Sequence, residues 1–223
     1  MKNLTPIDFE LKLVAGPLSY TQVNTYLWDP AKYYKQYVFP GGGLDMEQLR
    51  KDDIGLWEKI TLGGIFQDAV SVVGFNWRKK LKENGFTSDK ERIMAAALSD
   101  PGLIRWAISK CEIKKAFNYR GIPVVIKMDG FDEAKKHILE NKFGVPRQQE
   151  KVDEDLQLSY YAFGVYHAFG IQPEKLSITL QSVNDRNGKV NKIETSRTMD
   201  DVEHVGDLIV DVARNISAGV WEK

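Results

Sequence analysis

Gly121-Ile122-Pro123-Val124-Val125-Ile126-Lys127-Met128-Asp129-Gly130-Phe131 and His137-Ile138-Leu139-Glu140-Asn141-Lys142-Phe143-Gly144 are two strand-like runs separated by the polar residues 132–136. The pattern predicts two strands joined by a hairpin turn. If residues 133–136 form the loop, Asp132 pairs with His137, Phe131 with Ile138, and Asp129 stands directly opposite Glu140. Like charges in a directly opposed cross-strand pair destabilise a sheet. A divalent cation between the two carboxylates would turn that repulsion into attraction. Lys142, two residues beyond Glu140, projects to the same face because side chains alternate along a strand. Two acids and a lysine on one sheet face suit metal-assisted phosphodiester hydrolysis. Read alone, Glu140 and Lys142 also suit an ordinary exposed row on a strand. Apolar neighbours on both parities, Ile138 on one face and Leu139 and Phe143 on the other, favour a central strand.

Around this hairpin the segment 112–144 reads as a meander of about three strands. Asp153-Glu154-Asp155 supplies acids to the first turn of a helix, where they complement its positive end, and that helix runs through Gln157, Tyr161 and Tyr166 to about Phe169. Segments 176–183 and 189–197 form a second hairpin about Asn184-Asp185-Arg186-Asn187-Gly188, and a closing helix spans 199 to about 216. On the N-terminal side the pattern is helical. Ser19 is a plausible cap for a helix through Tyr26, Asp29-Pro30 restarts it over 31–38, and Pro40-Gly41-Gly42-Gly43 breaks it. Leu56, Ile60, Phe66, Val70 and Val73 recur at helical spacing across about 53–81. Further helices are expected over 88–98 and 103–111, separated by Asp100-Pro101-Gly102.

The 223 residues suggest one domain with a substantial core, and a hydrophobic fraction of 43% with 28% charged residues is ordinary for a globular protein. Lys+Arg and Asp+Glu both total 31, which argues against bulk electrostatic adhesion to nucleic acid but not against a local basic groove. The single cysteine, Cys111, provides neither an internal disulfide nor a thiolate cluster. There is no signal-peptide pattern, and the apolar region 60–77 is interrupted by Gln67, Asp68 and Asn76, so a cytoplasmic location is expected.

Taken in order, these pieces resemble the PD-(D/E)XK nuclease superfamily and its RecB-like branch, specifically the stand-alone phage- or CRISPR-associated type without an iron–sulfur cluster. Leu18-Ser19-Tyr20 with Tyr26, Asp29-Pro30, Tyr33 and Tyr37 is similar to the branch's opening helix. Gly63-Gly64-Ile65-Phe66-Gln67-Asp68 falls where the family carries a glycine and, four residues later, a histidine. Asp129 resembles the first metal-binding aspartate, Glu140-Asn141-Lys142 matches the (D/E)-X-K element, and Gln157-Leu158-Ser159-Tyr160-Tyr161 matches a Q-x-x-x-Y helix. Ser217-Ala218-Gly219 resembles the branch's usual ending. The implied fold is α/β, a restriction-endonuclease-like core with a central mixed sheet flanked by helices. It would form a single domain over 1–223, with a helical N-terminal part at about 17–111 and a β-rich catalytic core at about 112–223.

Asp129 and Glu140 offer the hard oxygens that suit Mg²⁺ or Mn²⁺. The resemblance implies the backbone carbonyl of Asn141 as a further ligand, and Lys142 as the group that orients the attacking water or stabilises the transition state. Gln157 and Tyr161, four residues apart on one helix face, would brace the site. Gln67 stands in place of the histidine and is the remaining metal-ligand candidate. Its amide oxygen is a weaker ligand than imidazole, so one metal is expected and a second is left open. Asp29 occupies a position where iron–sulfur relatives carry cysteine, and Cys111 alone excludes a four-cysteine cluster within one chain.

The resemblance further implies a metal-dependent DNA nuclease, an exonuclease or single-strand-preferring enzyme leaving 5′-phosphate ends. Its setting would be DNA recombination, repair or phage DNA processing in the cytoplasm, the host's if viral. DNA is the expected partner, and any helicase, recombinase or single-strand-binding protein would be a separate chain. The alternative is a nuclease-like DNA-binding or assembly protein without strong catalysis. A metal-dependent hydrolase of some other substrate is a third. Arg78-Lys79-Lys80-Leu81-Lys82 reads equally as a phosphate contact or a solvated helix end. Tyr20, Tyr26, Trp28, Tyr33, Tyr34 and Tyr37 read as base-stacking groups or, more simply, as core. The loop at Pro40 lacks the lysine of a phosphate-binding loop. His137, His167 and His204 show no ligand or triad spacing.

Overall fold

The computed structural model describes residues 16–40, 42–105 and 110–222. Five strands form one mixed sheet in the order β1-β2-β3-β4-β5: Cys111–Tyr119, Ile122–Asp132, His137–Phe143, Ser177–Val183 and Val190–Thr195. The strands β1, β2 and β3 are an antiparallel meander, β3 and β4 are parallel, and β4 and β5 are an antiparallel hairpin. As its flanking apolar residues require, β3 is the central strand. The predicted hairpin register holds at Asp132–His137, Phe131–Ile138 and Gly130–Leu139. A parallel neighbour cannot be reached by a tight turn. The crossover from β3 to β4 therefore carries two helices, α7 (Gln149–Asp153) and α8 (Leu156–Phe169); the other helices are numbered from the N-terminus as they follow.

Helices cover both sheet faces. On one, α8 packs with α9 (Met199–Ser217) and α1 (Tyr20–Trp28) over a core that includes Ile126, Ile138, Ile178, Leu180, Leu158, Val205 and Ile209. On the other, α4 (Ile54–Ser71), α5 (Trp77–Glu83) and α6 (Ser88–Ser99) bury Leu62, Ile65, Phe66, Leu81 and Met94 against Val183. Ser19 caps α1 with a full capping box, its hydroxyl accepting the Gln22 N–H while Gln22 answers to the Ser19 N–H. Asp29 caps α2 (Pro30–Tyr33), which passes into a π-helical turn at Tyr34–Val38. Among the described residues no helix is long and apolar enough to cross a membrane.

α8 lies so close to β2 that a Cβ built on Gly164 would stand 2.3 Å from Ile126 Cγ2 and 3.2 Å from its Cβ. A β-branched side chain cannot swing clear at its own Cβ. Gly164→Ala should therefore destabilise the protein by about 1–3 kcal/mol, despite alanine's better helix propensity. Thermal melting should show a drop of several degrees, and an unchanged or raised midpoint would contradict this packing.

Three sequence expectations are corrected. The helix expected over 53–81 is two helices, because Gly74, at φ +77°, turns the chain between Ser71 and Trp77. Much of its apparent apolar stripe is also exposed, with Val73 at 90% and Leu56 and Ile60 near 40%. The helix expected over 103–111 is absent at 103–105, Cys111 opens β1, and 106–109 lie outside the described residues. Asp153 and Glu154 do not open α8. They close α7, and Asp155 alone caps α8 by accepting the Gln157 N–H. The helix α3 (Met46–Asp52), capped by Asp45, was not expected at all.

Candidate active site

β2 pairs with β1 along nearly its whole length but with β3 only at Gly130, Phe131 and Asp132. Toward its N-terminal end it leaves β3, and Leu18 takes the released edge. The Leu18 N–H donates to Pro123 O at 2.9 Å, and the Val125 N–H donates to Leu18 O at 2.9 Å. Ile126 lies under Gly164 of α8, while Phe131 packs on Phe169 of the same helix with ring centroids 5.0 Å apart. Strict alternation would put these two side chains on opposite faces, yet both meet α8. Glu112, the β1 residue between the pairs that flank Asp129, has φ +50°, although the β1–β2 register passes it one-for-one, without the extra residue of a bulge.

Asp129 stands at the fork where β2 leaves β3. Its Oδ2 accepts the Asn141 N–H at 2.9 Å, replacing the backbone carbonyl a continuous ladder would supply. An extended residue's N–H and C=O project to the same edge, so the Asn141 carbonyl also faces the fork. Burial and the neighbouring Glu140 charge push the Asp129 carboxyl up to about 7, against relief from the Asn141 N–H and from Lys142. The two carboxyl groups are close enough to share a hydrogen bond when one is protonated. Asp129 and Glu140 are not the directly opposed ladder pair expected from the sequence, because β2–β3 pairing ends at Gly130–Leu139, but their charges still oppose each other.

Glu140 is 2% exposed and heavily tethered. Its Oε1 accepts from Lys142 Nζ at 2.5 Å and from Gln157 Nε2 at 2.9 Å, and its Oε2 accepts from the Tyr161 hydroxyl at 3.1 Å. Gln157 Oε1 accepts a second Lys142 N–H at 2.8 Å, and Gln157 Nε2 also donates to the Tyr161 oxygen at 2.6 Å. The Tyr161 hydroxyl is held well above the ordinary tyrosine range by burial and by the charges of Glu140 and Asp129, so it keeps its proton and remains a donor. The fold therefore brings Asp129, Glu140, Lys142, Gln157 and Tyr161 together between β2, β3 and α8.

Asn141 and Gln67 lie on the opposite side of β3, in a chain of amides. Gln67 Oε1 accepts from Asn141 Nδ2 at 2.9 Å, Asn141 Oδ1 accepts from Gln181 Nε2 at 2.9 Å, and Gln181 Oε1 accepts the Ile104 N–H at 2.6 Å. At the other end Gln67 Nε2 donates to Ser71 Oγ at 2.9 Å and reaches Asp129 O at 3.5 Å. The oxygen that Gln67 could offer a metal is engaged by Asn141. Gln181 and Ser71 were not singled out by the sequence. Gln181 pairs with Asn141 across the parallel ladder, forty residues away, and carries no local motif. The basic run on α5 is partly spent on acids, with Arg78 paired to Glu91 and both Lys79 and Lys80 to Glu83.

No known family model matches the sequence, and no curated protein does. A crystal structure from Eubacterium rectale, of a protein named "Putative exonuclease", superposes over 98% of this chain and 88% of its own, with a TM-score of 0.57 and 12% identity. The two proteins share a fold. At that identity the likeness concerns the fold alone. A second solved structure covers 72% of the chain at 13% identity, but its TM-score of 0.29 is too low to bear on the fold.

The donor set suits a divalent cation. Two carboxylates carry excess negative charge in a largely buried corner, and Lys142 lies on one of them where a cation's charge would act. Among the described residues no three His, Cys, Asp or Glu side chains converge on one point. An ion here would complete its shell with the Asn141 carbonyl, water and substrate oxygens. Mg²⁺ tolerates that arrangement, because it keeps several waters and takes only one or two carboxylates.

Proposed function

We propose that the protein is a divalent-metal-dependent DNA nuclease of the RecB-like branch of the PD-(D/E)XK superfamily, using Mg²⁺ or Mn²⁺ to hydrolyse phosphodiester bonds. The convergence of Asp129 and Glu140 at the fork of β2 and β3, with Lys142 bonded to Glu140, carries this reading. The motif order and the fold shared with the exonuclease-named protein support it. When bound, the ion supplies Lewis-acid charge and a water activated at neutral pH.

The chain's own residues do the rest. Asp129 and Glu140 hold their oxygens toward the fork, Glu140 fixed by Tyr161 and Gln157. Lys142 uses two N–H groups on Glu140 and Gln157, leaving one for the attacking water or a non-bridging phosphate oxygen. The water oxygen bonds to phosphorus and gives up a proton to solvent, the P–O3′ bond breaks, and the departing O3′ takes a proton from solvent, leaving a 5′-phosphate and a 3′-hydroxyl. Gln67 and Asn141 act as a brace that sets the Asn141 backbone.

A nuclease-like DNA-binding or assembly protein is the second reading, favoured by one observation: the Gln67 oxygen at the histidine position is already engaged. Labelled single-stranded and duplex DNA, incubated with Mn²⁺, with Mg²⁺ and with chelator, separates the two. Cleavage is expected only with metal. DNA binding without cleavage under any of these conditions would favour the second reading.

A further inference from the structure

Five residues beyond Lys142, in the connection from β3 to α7, lies Arg147. Its guanidinium donates to Asp155 Oδ2. Among the described residues Asp155 is its one hydrogen-bond partner, although a guanidinium carries five N–H donors. The Arg147 side chain is 41% exposed and that of Asp155 only 8%. Asp155 is a rigid post. Its Oδ1 caps α8 through the Gln157 N–H at 2.8 Å, and its backbone oxygen accepts from the buried Arg197 at 3.2 Å. Arg147 is therefore mounted on the same helical turn that presents Gln157, and Gln157 holds Lys142. The Tyr20 hydroxyl feels the charges of this corner. It is pushed up to about 12 by burial and then by Asp155, with Arg147 opposing and Glu140 adding.

We propose that Arg147 is a second phosphate-binding cation of this site, gripping a backbone phosphate of the DNA strand next to the one served by Lys142. The inference rests on the nuclease reading and extends it. A planar fork with free donors beside an immobile carboxylate is preorganised for non-bridging phosphate oxygens. Arg147 also neutralises Asp155, so a purely structural role makes a different forecast: a lower melting temperature with no change in DNA affinity or its salt dependence.

The test compares wild type, Arg147→Ala and Arg147→Lys. It uses steady-state cleavage of a short single-stranded oligonucleotide in Mn²⁺, and anisotropy of the same labelled strand in Ca²⁺ across a salt series. Arg147→Ala should raise KM and Kd by about tenfold or more, the effect falling on KM rather than kcat. The slope of log affinity against log salt should shrink by about 0.7, the share of one single-strand phosphate. Arg147→Lys should restore the slope, because its charge remains, but only part of the affinity. Wild-type affinity and slope in Arg147→Ala would overturn the proposal and leave the nuclease reading standing. A wild-type protein that neither binds nor cleaves the strand would overturn both.

Discussion

Lys142→Ala should lower the DNA cleavage rate at saturating strand and Mn²⁺ by about 10²–10³-fold, the usual loss when a preorganised donor to transition-state charge is removed. The ammonium is held by Glu140 at 2.5 Å and Gln157 at 2.8 Å, so it is aimed before substrate arrives. Its loss leaves Glu140 with two remaining donors, Gln157 and Tyr161, and the side chain is 32% exposed, so no sealed cavity forms. Without its ammonium partner the buried Glu140 charge should lower the melting temperature of the metal-free variant, whereas bound Mn²⁺ supplies positive charge there, so in the folded, Mn²⁺-loaded variant the defect should fall on kcat. Lys142→Arg should not rescue the rate, because a broad planar fork cannot repeat two contacts made by one tetrahedral nitrogen. Single-turnover cleavage measures the effect. Cleavage by Lys142→Ala at the wild-type rate would place the chemistry elsewhere.

Asp129→Asn raises the stability of the metal-free protein, and the gain grows with pH. Burial and Glu140 lift the folded Asp129 carboxyl to about 7, from an ordinary value of 3.8. The folded state therefore holds this proton more tightly than the unfolded chain does. The stability it contributes is fully present below about pH 4 and is lost as pH rises through about 7. The loss is on the order of 4 kcal/mol at most, taking about 1.4 kcal/mol per unit. An asparagine oxygen can still accept the Asn141 N–H, but it carries no charge to oppose Glu140. In chelator, wild type should lose several degrees of melting temperature between pH 5 and pH 8, while Asp129→Asn loses less. Mn²⁺ should reverse the order at pH 8 by stabilising wild type alone. Identical pH dependence in the two proteins would show that Asp129 and Glu140 do not repel as described.

Local chemistry made much of the fold legible. The hairpin register followed from loop length and alternation, the Ser19 cap from a capping residue set before a helical pattern, and the central place of β3 from apolar neighbours on both parities. The site's five clustered residues lay on two short segments, 129–142 and 157–161, whose periods of two and about four bring side chains to one face. Tertiary packing decided the rest. The apolar stripe across 53–81 includes exposed Leu56, Ile60 and Val73, so periodicity did not mark where α4 stops. Asp153, Glu154 and Asp155 all resemble helix-opening acids, and only the docking of α7 and α8 selects Asp155 as the cap. The amide chain from Ile104 through Gln181, Asn141 and Gln67 to Ser71 joins four distant segments by neutral groups with no spacing signal. Arg147 lies in the connection from β3 to α7 with no motif around it, and only its ion pair with Asp155 places it beside Gln157.

A calorimetric titration of Mn²⁺ into the folded wild-type protein at pH 8, beside Asp129→Asn, tests the metal site most directly. Wild type should bind one ion at the fork. The variant should lose more than about a hundredfold in affinity, beyond the 10–100-fold typical of an outer-shell partner. Absence of Mn²⁺ binding by the folded wild type, or equal binding by Asp129→Asn, would contradict the account.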